Sequence, residues 1–334
     1  MRALVVAPYW PAREGWGEDW RLALEAEGHA VRCVGYRRLN PLYKNKGLKA
    51  VYQGWIRRGI LARAAAWKPD LVLVFKGESF SASFIHALRR ASGAVIVNVF
   101  VDNPLFSTPF EHIEPYDLFC TKEPYAIEAL RRVGLGNLHY LPCHCTPVLD
   151  HPPEPTPEER ERFAVEIGFT GNYYPYRGRF FLELRDLPIR IWGRGWERAP
   201  NALRHLLAGR PAWGREKFLS FSLPKIVLNL HHPLNDILGV NDRLFQVASC
   251  GGFQLTDWRE DVGRMFTEGK EIMTYRDASE CRRLIEHYLA HPEKRADIAA
   301  AGQRRAHRDH TVSLRLAEIL MTLRQRPGTT RGRQ

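Results

Sequence analysis

What most constrains this chain is a repeated alternation. Short, continuous apolar runs rich in β-branched residues are each followed by a longer stretch with helical period. In the first half the runs are Ala3–Ala7, Ala30–Val34, Leu71–Phe75, Ala94–Val101, Leu118–Thr121 and Leu138–Leu141; helical stretches lie at Trp16–Glu27, Val51–Trp67, Ser81–Ala91 and Pro124–Val133. Runs that are apolar on both faces suit buried parallel strands, because crossover helices cover each side of the sheet. Repeated switching between the two periods indicates βαβ units and a doubly wound α/β architecture.

The pattern breaks once, at "PCHCTPVLDHPPEPTPEERERF", where prolines stand at 142, 147, 152, 153, 155 and 157. Proline removes a backbone donor and clashes inside helices, so this stretch reads as a linker over residues 146–160. Beyond it the alternation resumes, with strands at Ala164–Phe169, Ile189–Trp192, Ile226–Leu230, Phe253–Thr256 and Glu271–Thr274. Helices are expected at Tyr176–Arg185, Arg215–Phe221, Asp242–Cys250, Ala278–Ala290, Pro292–His307 and Val312–Arg324. A chain of 334 residues exceeds what one core usually serves, so two α/β domains are expected, over 1–145 and 161–311. A last helix over 312–326 and a disordered basic tail over 327–334 follow.

Composition narrows the function classes. Hydrophobic content of 45% and charged content of 26% are those of a globular protein. No apolar run approaches the ~18–20 residues of a membrane span. "MRALVVAPYWP" is too short in its apolar core for a signal peptide and reads as the first strand. The six cysteines, at 33, 120, 143, 145, 250 and 281, are scattered as reduced thiols in a cytoplasmic protein would be. Net charge is +12, mostly arginine and read as spread along the chain, which admits a phosphate-bearing substrate or peripheral contact with an anionic membrane. There is no helix-turn-helix, zinc-finger or RNA-binding aromatic signature, so a specific nucleic-acid partner is not expected.

In doubly wound sheets, ligands sit beyond the carboxyl ends of the strands, so chemistry is sought there. After the first strand, Gly15 and Gly17 precede a helix, where backbone amides can approach a ligand; the spacing is not a dinucleotide fingerprint. Asp102 ends the fourth strand and can hold a hydroxyl or take a proton, although Asp-Asn-Pro is also a good turn. Cys143-His144-Cys145 lacks a second ligand pair, and no metal is expected there. Of His231 and His232, one can face a substrate. Gly171 and Asn172 follow a strand and precede Arg177 and Arg179 at a helix start, a suitable diphosphate clamp. Gly193 and Gly195 leave room at another strand end.

The richest stretch is "GVNDRLFQVASCGGFQLTD". Gly239, Val240 and Asn241 would present amides at the start of a helix, Arg243 adds a fork of donors, and Gln246 lies one turn from Asp242. A diphosphate at the helix end and ribose hydroxyls at Gln246 would satisfy these groups. Phe245, Val247 and Ala248 also supply an ordinary buried face.

"NDRLFQVASCGGFQLTDWREDVGRMFTEGKEIMTYRD", with "FTGNYYPYR", "WGRGW" and "IVLNLHH" upstream, resembles CgeB-like glycosyltransferases, bacterial proteins first named for spore maturation. The resemblance covers most of the chain and is sharpest from Lys225 to Thr311. It implies a GT-B fold of two Rossmann-like domains, a donor nucleotide in the second, and a last helix returning to the first. Asn241, Arg243, Gln246, Gly251 and Asp257 fall on the family's pattern. Gln246 stands where the family usually has glutamate, and Leu238 where relatives carry a second one.

The expected function is metal-independent transfer of a sugar from a nucleoside diphosphate sugar, with no further cofactor, to an acceptor hydroxyl. Arg177 and Arg243 would neutralise the departing diphosphate, Gln246 would hold the ribose and Asp102 would serve the acceptor, with Gly15, Gly17 and His232 on the acceptor side. The competing readings are a sugar-nucleotide 2-epimerase, a catalytically degenerate sugar-nucleotide binder and a basic nucleic-acid-binding protein.

Overall fold

The computed structural model describes residues 1–8, 16–37, 46–106, 108, 110–152 and 154–326. Gly15 and the tail over 327–334 lie outside them. The chain divides into two compact units, Met1–Pro142 with Val312–Gln334, and Cys143–Thr311.

The first unit is a six-stranded sheet, all parallel, in the order β2-β1-β3-β4-β5-β6. Its strands are β1 (Arg2–Ala7), β2 (Ala30–Gly35), β3 (Leu71–Phe75), β4 (Val95–Phe100), β5 (Leu118–Thr121) and β6 (Leu138–Tyr140). Its helices are α1 (Trp16–Ala26), α2 (Lys46–Trp67), α3 (Ala82–Ser92) and α4 (Pro124–Arg132). Alternation along each strand divides the core between two faces. Leu4, Val6, Val72 and Val74 pack with α2 and α3, while Ala3, Val5, Leu71, Leu73 and Phe75 pack with Trp20 and Leu24 of α1. The chain's last helix, Val312–Gln325, joins this second face through Leu316 and Ile319.

The second unit is a five-stranded parallel sheet in the order β11-β10-β9-β7-β8. Its strands are β7 (Ile167–Thr170), β8 (Ile189–Trp192), β9 (Ile226–Asn229), β10 (Gln254–Asp257) and β11 (Met273–Tyr275). Its helices are α5 (Pro157–Phe163), α6 (Pro175–Glu183), α7 (Arg215–Ser222), α8 (Asp242–Ser249), α9 (Val262–Met265), α10 (Ala278–Ala290) and α11 (Pro292–Asp309). Strand order reverses between β7 and β9, and that switch point is where this architecture opens a crevice.

Two expectations need correction. The proline-rich stretch does not exclude helix. Thr156 and Glu159 form a capping box and Pro157 takes the first helical position, where its missing N–H costs nothing. Residues 146–160 belong to the second unit, where Thr146 N–H donates to Asp150 at 2.6 Å. The second difference is α2, which starts at Lys46, about a turn before the expected Val51.

Candidate functional site

The carboxyl ends of β7 and β9 bring two arginines together. Arg177, in the first turn of α6, is buried. It donates to the carbonyls of Asn172 at 2.7 Å and Leu230 at 2.8 Å, so it ties the loop after β7 to the end of β9. Arg243, in the first turn of α8, donates to Asn229 Oδ1 at 2.7 Å. Both guanidinium groups lie against the Phe169 ring, at 5.4 and 5.6 Å. They converge on Gly171: a Cβ there would meet Arg243 Nη2 at 3.1 Å and Arg177 Nη1 at 3.2 Å. Among the described residues neither makes an ion pair with an acid.

Two like charges this close disfavour one another, an effect that Asp257 offsets only in part. The Arg177 pKa is pushed down to about 10, first by burial and then by Arg243. Burial likewise lowers that of Arg243. An anion placed between them reverses the mutual repulsion.

A network of amides fixes Arg243. Asn229, the fully buried last residue of β9, accepts from Asn241 Nδ2 at 3.0 Å as well as from Arg243, and donates to Gln254 Oε1 at 3.1 Å. Gln254 in turn donates to the Leu244 carbonyl at 3.0 Å. Every member is paired, so the network holds one geometry at low cost. Asn229 and Gln254 were missed from sequence; their signal was a lone amide in each of two apolar strands.

The glycines divide by role. Gly171 gives the guanidinium groups their room. Gly193 serves packing, because a Cβ on it would sit 1.9 Å from the Gly171 carbonyl oxygen. Gly195 is left-handed at φ 83°, where it starts the short turn Trp196–Arg198. Gly193→Ala is therefore expected to destabilise the protein by about 2–3 kcal/mol and displace Gly171, as overpacked backbone contacts do. Chemical denaturation checks this, and an unchanged midpoint would show that the two turns move apart freely.

The other candidates from the stretch Gly239–Asp257 fare differently. Asn241 caps its own helix, its Oδ1 accepting from Leu244 N–H at 3.1 Å while its Nδ2 donates to Asn229 at 3.0 Å, so its side chain is committed to the fold. Val240 is buried. Gln246 is half-buried in the second turn of α8, and Gly239 precedes the cap. Gly251 is a correction. It sits at the far end of α8 with φ 74°, against Gln303 of α11, and terminates the helix.

His232 is also reassigned. Its Nδ1 accepts from the backbone N–H groups of Leu234 and Asn235 at 3.3 and 3.2 Å, and its ring stands edge-on to Tyr174 and Tyr176. It shapes a turn in the second unit. His231 is the one in the crevice. Its Nδ1 lies 2.6 Å from Asp257 Oδ1, and Arg259 pairs with the other carboxylate oxygen at 3.0 Å. Burial works to raise the Asp257 pKa, but His231 and Arg259 outweigh it and hold it below the usual carboxylate range. These groups line a cavity of about 580 Å³ with Tyr176, Arg179, Trp258 and Tyr275. Trp258, Arg259 and Tyr275 went unread as cavity lining in the sequence, although they stand just beyond or at the ends of β10 and β11.

In the first unit, Asp102 follows β4 as expected, but it is ion-paired with Lys76. Lys76 follows β3 in a left-handed conformation, φ 60°, costly for a residue with a side chain, and Asn98 Nδ2 donates to its carbonyl at 2.9 Å. Gly17 is buried in the first turn of α1. Among the described residues no three His, Cys, Asp or Glu side chains are grouped as metal ligands would be.

Residues 177–321 match a family model described as glycosyl transferase-like. The spore protein CgeB of Bacillus subtilis (strain 168) is 23% identical over 261 residues, which cover 72% of this chain and 78% of that protein. The crystal structure of Anabaena Alr3699/HepE in complex with UDP superposes with a TM-score of 0.62 at 11% identity, covering 97% of this chain and 100% of that one. Sucrose-phosphate synthase from Thermosynechococcus elongatus gives 0.70 at 12% identity, covering 97% and 99%. At these identities the structural likeness is one of fold.

Proposed function

We propose that the chain is a CgeB-like glycosyltransferase of the GT-B type that takes a uridine diphosphate sugar as donor and transfers the sugar to an acceptor hydroxyl without a metal ion. One observation carries this reading: Arg177 and Arg243 converge on Gly171, and among the described residues neither makes an ion pair with an acid, so the site retains positive charge for a diphosphate to meet. The choice of uridine is supported by the UDP and UDP-glucose complexes of the Anabaena relative.

In the reaction the bond from the anomeric carbon to the diphosphate oxygen breaks, and its electron pair stays with the diphosphate. Negative charge grows on that oxygen, between the two guanidinium groups. The acceptor oxygen bonds to the anomeric carbon and gives up its proton. Asp102 is the proposed group to orient that hydroxyl or take its proton, with Lys76 holding the carboxylate in place. Gln246 is proposed to meet the ribose by donating and accepting hydrogen bonds.

The test is a melting series with pyrophosphate, UDP, ADP, GDP and UDP-sugars. Ligand at about 100 times its dissociation constant adds about 2.7 kcal/mol, so UDP and its sugars should raise the melting temperature by several degrees. If all of them leave it unmoved, the donor reading is wrong. Conversion of the donor to its 2-epimer with no acceptor present would instead assign the chain to sugar-nucleotide 2-epimerase chemistry, and binding without any turnover would mark a degenerate binder, the reading that Leu238 and Gln246 favour.

A further inference from the structure

The net charge of +12 is concentrated in one segment rather than spread along the chain. From Gly28 to Pro69 there is no aspartate or glutamate, and there are ten lysines and arginines. The remainder of the chain is thus close to neutral, and the basic character of the molecule is that of one segment.

Helix α2 occupies most of this segment: its sequence, KGLKAVYQGWIRRGILARAAAW, carries five cations and no acid. One face is committed to the core, where Tyr52, Ile56, Ile60 and Ala64 pack against the sheet. Another row carries Leu48, Val51 and Trp55, spaced by three and four residues, so that they line up along the helix. These three are 44%, 71% and 61% exposed. Arg58 continues the row, and it and Lys49 are exposed.

A single exposed apolar side chain needs no explanation. An ordered row of leucine, valine and tryptophan, set among cations and with no acid on the helix, does. Charge alone would suit a nucleic acid, but phosphate contacts give no use to the apolar row. A phospholipid surface uses both. The apolar side chains enter the boundary between headgroups and acyl chains, tryptophan is favoured at that depth, and the cations stay with the phosphates. Among the described residues no helix is long and apolar enough to cross a membrane, so the helix would lie on the surface.

We infer that the outer face of α2 docks the protein onto an anionic phospholipid surface, with Leu48, Val51 and Trp55 inserted and Lys49 and Arg58 on lipid phosphates. This inference is independent of the donor reading, since it concerns the first unit and requires no nucleotide.

Co-sedimentation with vesicles tests it, comparing phosphatidylcholine alone with phosphatidylcholine mixed with phosphatidylglycerol. The full chain is expected to bind the mixed vesicles at least tenfold more tightly, and added salt should weaken that binding. Trp55→Ser and Arg58→Glu should each lose about fivefold to tenfold, with unchanged melting because both side chains are on the surface. Arg308→Glu makes the same charge change in the second unit at a similarly exposed arginine, 64% by side chain, and should lose little. Three results would overturn the inference: no preference for the anionic vesicles, equal losses from Arg58→Glu and Arg308→Glu, or full retention by Trp55→Ser with release by duplex oligonucleotide. The last would assign the segment to a nucleic acid.

Discussion

Arg243→Ala is expected to cut turnover of the nucleotide-sugar donor by about 100-fold or more while leaving the protein folded. The expectation follows from where charge develops. The donor diphosphate is already anionic in the ground state, but the oxygen bonded to the sugar gains a further share as that bond breaks. A pre-oriented donor aimed at such an oxygen is worth about 2.7–4 kcal/mol in the transition state. Arg243 is pre-oriented, because Asn229 receives one arm of its fork at 2.7 Å and is itself fixed by Asn241 and Gln254. Its removal forfeits one hydrogen bond, worth about 1 kcal/mol. It also relieves repulsion with Arg177, so the stability of the unliganded protein should change little. Arg243→Lys should recover only part of the rate, since a point charge does not reproduce the fork. Nucleotide release under saturating donor is the measurement. A fall in kcat matched by the fall in kcat/KM places the interaction in the transition state. An unchanged kcat in a folded variant would remove Arg243 from the chemistry.

Much of the architecture was legible because it follows from pattern. Runs such as LVLVF and IVLN are apolar on both faces, and only a sheet covered on both sides buries them. Gly171 and Arg177 were legible because they follow the end of β7, where a doubly wound sheet gathers its ligands, and Arg243 because it stands in the first turn of a helix. What was not legible depends on side-chain direction. His231 and His232 are adjacent in sequence, and nothing in the dipeptide says which ring turns toward Asp257 and which is taken up by the Leu234 and Asn235 amides. Asn229 looked like the end of an apolar strand, yet it anchors Arg243. Gly251 looked like part of a binding loop because it follows the helix in the family pattern; its left-handed φ of 74° shows a helix terminator. Thr156 and Pro157 carried a start signal for a helix, which the density of prolines around them concealed.

Arg177 should behave differently from Arg243, and the contrast tests the assignment of both. Arg177→Ala removes bonds to two carbonyls. That of Asn172 lies on an exposed loop residue and regains water, whereas that of Leu230 belongs to a buried residue. Stranding a buried acceptor costs about 1–3 kcal/mol. Part of this is offset, because Arg177 is a charge held in a buried site against a like neighbour, with its pKa pushed down to about 10 by burial and then by Arg243. The unliganded variant should therefore be less stable by about 1–2 kcal/mol. The larger effect is on the ligand: the melting increase that UDP gives the parent protein should vanish. Arg177→Lys should not restore it, since an ammonium group cannot bridge both carbonyls and still face the diphosphate. Inorganic pyrophosphate gives a pH test with the same logic. It binds the protonated guanidinium, so its affinity should fall as pH rises through about 10, and the share of that fall due to Arg177 should be absent from Arg177→Ala. If Arg177→Ala still melts higher with UDP by the same interval as the parent, the diphosphate lies elsewhere and the convergence on Gly171 is structural.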